Sequence, residues 1–193
     1  MWFPNSAIRP VPAFARLPAT VIATAPSHIA VAERGPAIES IKVDIHDYIA
    51  EQTEIAAWMT DRLVGIGDDV ARSFGLAMSV IIWKAFSEHF SGRIGTVSRG
   101  ACDVVSAMLE ADEELRRRDS KTAVEYDDIV AAYQPEVVKY IRLALNHTLS
   151  KETRAVDVRA IDKMYRMMLV ETLVLSYAVL PKDSENDAAR YMS

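Results

Sequence analysis

The chain has 193 residues, of which 50% are hydrophobic and 25% are charged, with a formal net charge of −5 and a pI near 5.4. This length suits one hydrophobic core with appendages, and the scattered positive charge argues against nucleic acid or a membrane surface as a partner. The single cysteine, Cys102, excludes an internal disulfide and a thiolate zinc site, and it fits a cytoplasmic protein.

Six of the eight prolines lie in the first 36 residues, and only Pro135 interrupts the chain between Pro36 and Pro181. Because proline fixes φ and removes a backbone donor, we predict an extended Pro-rich arm over residues 1–36 and long helices after it. Residues 181–193 form a short polar tail. The predicted fold is all-α, with about five helices over residues 37–180 and no strand-like alternation of apolar and polar residues.

The arm is rich in large apolar residues, which is unusual for a disordered tail. Its prolines interrupt every apolar run that a secretory signal would need, and they oppose the amphipathic helix of an organelle presequence. We expect the arm to lie on a protein surface, either that of its own body or that of a neighbouring subunit. The alternative is a disordered tail.

The first helix is predicted from Pro36 to Leu63, with proline in its first turn. Its apolar residues alternate spacings of three and four, which is typical of a coiled-coil heptad. A polar residue within it, Gln52, would fix register or partner number, or would reach solvent at the edge of an intramolecular bundle. With aromatic residues of the arm, these positions form a candidate partner interface: Trp2, Phe3, Phe14, Ile38, Ile41, Ile45, Tyr48, Gln52, Ile55 and Met59.

A second helix is predicted after residues 65–68, where a glycine, Gly65 or Gly67, would end one helix in a left-handed conformation and Asp68 would start the next. Gly92 is expected to end it. The third helix runs from about Thr96 to Arg117, and its start combines glycines, hydroxyls and guanidinium groups that would attract an anion. The candidate anion site consists of Arg93, Gly95, Thr96, Ser98 and Arg99. An ordinary interhelical turn is the alternative.

The fourth helix is predicted to open with a capping box at residues 122–125 and to break near Tyr133 and Gln134, because Pro135 lies inside its pattern. The fifth helix, from about Asp157 to Leu180, is apolar most of the way round. Such a helix belongs in the middle of a bundle or under an oligomer interface. Two charged residues in it, Arg166 and Glu171, each need a polar partner on another helix.

The sequence contains no recognisable catalytic, nucleotide-binding or metal-binding motif. The residues three positions before His46, His89 and His147 are not glutamates, so the Glu-x-x-His pairs of di-iron bundles are missing. Cys102 has apolar neighbours and is expected to be a buried structural thiol. We therefore expect no cofactor and no metal, and we favour a protein that is not an enzyme.

Two functions remain as hypotheses. The first is a non-catalytic assembly or adaptor protein that binds a protein partner or a second copy through its arm and apolar helix faces. It predicts an oligomer that weakens when the residues before Ala37 are deleted. The alternative is a helical-bundle binder or enzyme for a small apolar or anionic ligand, with Arg93 or Arg99 at the mouth of a cavity. The expected lining of that cavity is Met78, Trp83, Met108, Met164, Met167 and Met168.

Overall fold

The computed structural model describes residues 6–24, 37–118 and 128–182. Over these ranges the chain is all-α, as predicted, and no strand occurs within them. They contain eight α-helices where about five were predicted, since two predicted helices are divided and a short one lies in the arm. The helices are α1 (Ala19–Thr24), α2 (Ala37–Glu51), α3 (Thr53–Val64), α4 (Asp69–His89), α5 (Arg99–Arg118), α6 (Asp128–Tyr133), α7 (Pro135–Lys151) and α8 (Val158–Ala178).

The apolar helix α8 lies at the centre of the molecule. It packs against α4, α5 and α3, and every residue over 167–176 is buried. Its main neighbour, α4, also contacts α1, α2, α3 and α7. At Gly75 of α4, a Cβ atom would stand 2.6 Å from Cδ2 of Leu63 and 2.9 Å from Cγ of Met164. The missing side chain therefore lets α3 and α8 approach this helix closely.

The predicted first helix is not continuous, and the prediction of an unbroken heptad is wrong. Gln52 leaves the helical conformation, with φ −132° and ψ 53°, and separates α2 from α3. Its buried side chain donates from Nε2 to the carbonyl of Gly95 at 3.2 Å and accepts at Oε1 from the N–H of Val97 at 2.9 Å. The break is stabilised because one amide group satisfies two backbone groups of the α4–α5 loop.

The boundaries of α4 follow the predicted pattern in part. Asp68 caps the helix by accepting from the N–H of Ala71 at 2.9 Å, as expected. Gly65 ends α3 with φ −75°, so the predicted left-handed cap is wrong there. Gly92 follows the end of α4 with φ 72°, a conformation that glycine adopts without steric cost.

The predicted break before Pro135 is confirmed. α6 ends at Tyr133, and α7 restarts with proline in its first turn, where no helical N–H is needed. The capping box predicted at residues 122–125 lies outside the described residues, as do residues 183–193 of the polar tail.

The described part of the arm lies against the helical body of the same chain. Ile8, Val11, Ala15, Leu17 and Ile22 are all buried in the core. The arm is not extended throughout, because α1 begins directly after a proline, at a helix start where this residue is tolerated. Residues 1–5 and 25–36 lie outside the described ranges.

Candidate functional site

Most described residues of the heptad pattern belong to the core of their own chain. Tyr48, Gln52, Ile55 and Met59 are each at most 3% exposed, and Ile45 is partly buried against the same core. These side chains cannot form the partner interface predicted for them, because they already pack against other helices of the molecule. The alternating spacing of three and four residues correctly identified buried positions. Their neighbours, however, are helices of the same chain and not a partner protein.

Phe14 is the described arm residue of the predicted interface, and 46% of it is exposed. The remaining predicted positions fall outside what the structure describes: all of Trp2 and Phe3, and the side chains of Ile38 and Ile41.

The predicted anion site is occupied by groups of the chain itself. The backbone N–H of Arg99 donates to Oε2 of Glu54 at 2.7 Å, and its guanidinium donates to Oδ2 of Asp61 at 2.8 Å. Ser98 caps α5 by accepting from the N–H of Ala101 at 3.2 Å. Acidic side chains of α3 therefore fill the role assigned to an external anion.

Two of the three remaining residues of that prediction also have partners within the chain. Arg93 donates from Nη1 to the carbonyl of Leu180 at 3.1 Å, and the N–H of Gly95 donates to the carbonyl of Ala178 at 2.9 Å. Thr96 is exposed and lines a small cavity. These bonds tie the α4–α5 loop to the end of α8.

A cleft of about 700 Å³ lies between α4 and α7, and we call it the α4–α7 cleft. Residues three and four apart on each helix form its two walls. Each wall includes a small side chain, Ala77 on α4 and Ala144 on α7, which leaves space among bulkier neighbours. The lining residues are Asp69, Val70, Ser73, Phe74, Ala77, Met78 and Ile81 of α4, Tyr140, Leu143, Ala144, His147 and Thr148 of α7, and Arg154 of the following loop.

The α4–α7 cleft is polar at one end and apolar along the rest of its length. Asp68 accepts at Oδ2 from the N–H of Asp157 at 3.0 Å, which holds the loop after α7 against the start of α4. The charged residues and Ser73, His147 and Thr148 lie near this junction, whereas Ile81 and Tyr140, with its one hydroxyl, lie at the other end. From Asp69 to Ile81 the helix rises roughly 18 Å. The cleft is therefore an elongated apolar channel with one polar end.

The charges at the polar end are paired within the chain. Asp69 forms an ion pair with Arg72, and Nε of Arg154 lies 3.4 Å from Oε1 of Glu152. The N–H of Arg154 also bonds this carboxylate and holds the pKa of Glu152 below its ordinary value. No hydrogen bond of the side chains of Ser73, His147 or Thr148 occurs within the described residues. They offer polar atoms to a ligand.

A second cavity, of about 280 Å³, lies between α5, α8 and the loop before α5. Arg9 closes one side, with its guanidinium 4.3 Å from the ring centre of Tyr177, whose hydroxyl donates to the carbonyl of Arg9. The volume lies just below the range that is usual for ligand sites. The α4–α7 cleft is the better candidate.

The residues that were predicted to line one cavity lie in several separate parts of the structure. Met78 lines the α4–α7 cleft and Met108 lines the second cavity. Trp83, Met164 and Met168 are packed in the core at 4% exposure or less, and Met167 is 7% exposed. Ala77 and Ala144 were not among the site residues predicted from the sequence, although small residues on large apolar helix faces were a usable signal.

Glu171 is the most perturbed acid of the described chain, and it lies in the core away from both cavities. Its Oε1 accepts from the hydroxyl of Tyr48 at 2.7 Å and from that of Ser79 at 2.8 Å, while Oε2 is buried without a partner among described residues. Burial raises the pKa of this carboxyl to about 8. The group is a protonated structural acid at neutral pH.

Arg166, the other charge in α8, finds its partner on another helix, as expected. It donates to both carboxylate oxygens of Glu113 on α5, at 2.6 Å and 3.0 Å. Two parallel bonds of this kind fix both position and orientation, so the pair joins α8 to α5.

In the part of the chain that the structure describes, no group of three or more His, Cys, Asp or Glu side chains could hold a metal ion. One described helix, α4, is long and apolar enough to cross a membrane by length and composition, yet 56% of its apolar window is buried inside the molecule. Core helices of soluble proteins have the same properties, so this is weak evidence for a membrane span.

Comparison with protein-family models, curated proteins and solved structures finds no match to this chain.

Proposed function

We propose that the chain is a helical binding protein whose α4–α7 cleft takes up a small, largely apolar ligand. The cleft itself carries this proposal. A volume of about 700 Å³ is in the range of ligand sites, and such sites combine apolar walls with a few polar groups. Phe74, Met78, Ile81 and Leu143 supply the walls, and the polar groups other than the Tyr140 hydroxyl lie at one end.

Binding without catalysis fits the distribution of reactive groups. An active site places groups with perturbed pKa values in a cavity that substrate can enter. Here Glu171 and Cys102, whose pKa values burial raises to about 8 and about 12, are in the packed core, and burial also raises the pKa of Tyr140 in the cleft, which disfavours its ionised form. The cleft offers hydroxyls and an imidazole instead, and for Ser73, His147 and Thr148 the described part of the chain supplies no hydrogen-bonded side chain that would activate them.

A bulky residue in the cleft tests this function. The apolar fluorescent probe N-phenylnaphthylamine should bind the native protein and, at a hundred times its dissociation constant, stabilise it by about 2.7 kcal/mol. Ala77→Trp should abolish both effects by filling the space, whereas Ala107→Trp, at an exposed position of α5, should retain them. Equal probe binding by the native protein and Ala77→Trp, or no binding by either, would contradict the proposal.

Assembly or adaptor function is a second proposal, with a protein or a second copy as partner and the cytoplasm as location. It is favoured by large apolar side chains exposed outside the cleft, such as Phe14 at 46%, Val104 at 57% and Leu115 at 46%. We also propose that an arm over residues 1–36 precedes a bundle over 37–180 and a tail over 181–193.

Deleting the residues before Ala37 is a poor test of assembly, because it removes several core residues as well. The substitution Val104→Asp is a more specific test of assembly than this deletion. If the protein is an oligomer, this exposed substitution should lower its mass in solution while leaving the helical circular dichroism unchanged. A monomeric native protein would contradict assembly with itself.

A further inference from the structure

We infer that the ligand of the α4–α7 cleft is a single-chain amphiphile with an uncharged, hydrogen-bonding head, such as a long-chain alcohol or a monoacylglycerol. This inference rests on the proposed function. It adds the chemical class of the ligand and its direction in the cleft, with the head at the start of α4 and the tail towards Ile81 and Tyr140.

The shape of the cleft fits one extended chain. Its walls follow three turns of α4 and two of α7, over roughly 18 Å, and side chains on this path are almost all apolar beyond Ser73. A tail laid along this path would contact Phe74, Met78 and Ile81. A compact polar molecule would leave most of this apolar surface without a neighbour.

The polar end fits a hydroxyl head. Ser73 and Thr148 each offer a hydroxyl, which both donates and accepts hydrogen bonds, and His147 offers ring nitrogens. These three side chains have no hydrogen bond within the described residues. An alcohol can donate to one of them and accept from another, so both its hydrogen-bonding functions are satisfied.

Charge favours an uncharged head over an ionic one. Asp68 and Asp69 lie at the N-terminus of α4, which is the positive end of its dipole. The C-terminus of α7, the negative end of its dipole, lies at the same end of the cleft. Asp69 pairs with Arg72, and Arg154 pairs with Glu152. A carboxylate head would compete with existing acids for Arg154, and an ammonium head would compete with existing cations for the acids.

Three ligands with the same tail test this inference: dodecanol, dodecanoate and dodecylammonium. Dodecanol is titrated below its solubility limit and the two ions below their micelle concentrations, at mildly alkaline pH, against native protein carrying bound N-phenylnaphthylamine. Dodecanol should displace the probe at a concentration about tenfold lower than either ion. Thr148→Val keeps the shape but removes the hydroxyl, so it should weaken dodecanol about fivefold without changing the affinity of the probe. Arg154→Gln should change dodecanol binding by less than about twofold.

The outcomes separate this inference from the function on which it rests. Tightest binding by dodecanoate, with a large loss in Arg154→Gln, would overturn the uncharged head and leave the binding function intact. Equal binding of all three compounds, unaffected by Thr148→Val, would overturn the head site. Probe binding that none of the three displaces would overturn the single-chain class. Failure of the probe and of every ligand to bind would overturn the proposed function.

Discussion

Glu171 lies in the middle of α8 with its carboxyl group wholly buried, and burial raises its pKa from 4.5 to about 8. The folded protein therefore keeps a proton that the unfolded chain has already released. Since the folded state binds more protons between these two values, its free energy of unfolding falls as pH rises through this window. The loss is roughly 1 kcal/mol for each pH unit and levels off above about pH 8.

Glu171→Gln should remove this pH dependence, because the amide cannot ionise and yet still accepts from Tyr48 and Ser79. Urea unfolding at several pH values from about 5 to 8 measures it. The matched control is Glu113→Gln. Arg166 holds the pKa of Glu113 below its ordinary value, so that variant should lose stability at neutral pH and retain the decline in stability between about pH 5 and pH 8. An unchanged slope in Glu171→Gln would contradict the assignment.

Cys102 should be unreactive in the folded protein. Its side chain is buried, and burial, with the nearby Glu171 and Asp103 carboxyls, raises the pKa of the thiol to about 12. Because the thiolate is the reactive form, labelling by an aromatic disulfide should be at least about a hundredfold slower than in denaturant. Rapid, complete labelling of protein with native circular dichroism would show that this position is open.

At the scale of elements, Gln134 connects three segments at the break between α6 and α7. Its Oε1 accepts from the N–H of Leu17 at 3.0 Å. Its Nε2 donates to the carbonyl of Ala15 at 2.7 Å and to the hydroxyl of Ser176 at 2.8 Å. All four residues are buried. One amide group therefore connects the N-terminal stretch, the α6–α7 break and α8.

Gln134→Leu should lower the free energy of unfolding by about 3 kcal/mol, because it leaves two buried backbone groups unpaired. Chemical denaturation measures this loss, and limited proteolysis should show faster cleavage of the N-terminal stretch. Ser176→Ala is the control, with an expected loss of about 1 kcal/mol, since it leaves those backbone groups paired. Equal losses in the two variants would mean that Gln134 does not hold the N-terminal stretch in place.

The elements that were predicted well depend on neighbours in sequence. The cap at Asp68 and the restart at Pro135 follow from groups within one helical turn. The break at Gln52 could not be predicted in this way, because its side chain bonds backbone groups 43 and 45 residues away. A glutamine in a helical pattern gives no sign of such a partner.

At the scale of the whole molecule, the sequence predicted that α8 would lie in the middle of a bundle or under an oligomer interface, because a helix that is apolar on most sides needs neighbours around it, and the structure shows it packed among helices of its own chain. The α4–α7 cleft was not predicted, since it depends on how two helices far apart in sequence lie beside each other. The apolar composition of the arm predicted that it would lie on a protein surface. In the described part, that surface belongs to the same chain, and Leu17 is buried in its core.

The most direct test of the cleft is methyl NMR of the full chain during titration with dodecanol. The methyl signals of Ala77, Met78, Ile81 and Ala144 should shift and saturate together, with contacts from the end of the tail to Ile81. Signals of Val174, in the second cavity, should stay in place. Shifts confined to that second cavity, or no saturable shift anywhere, would contradict a ligand site between α4 and α7.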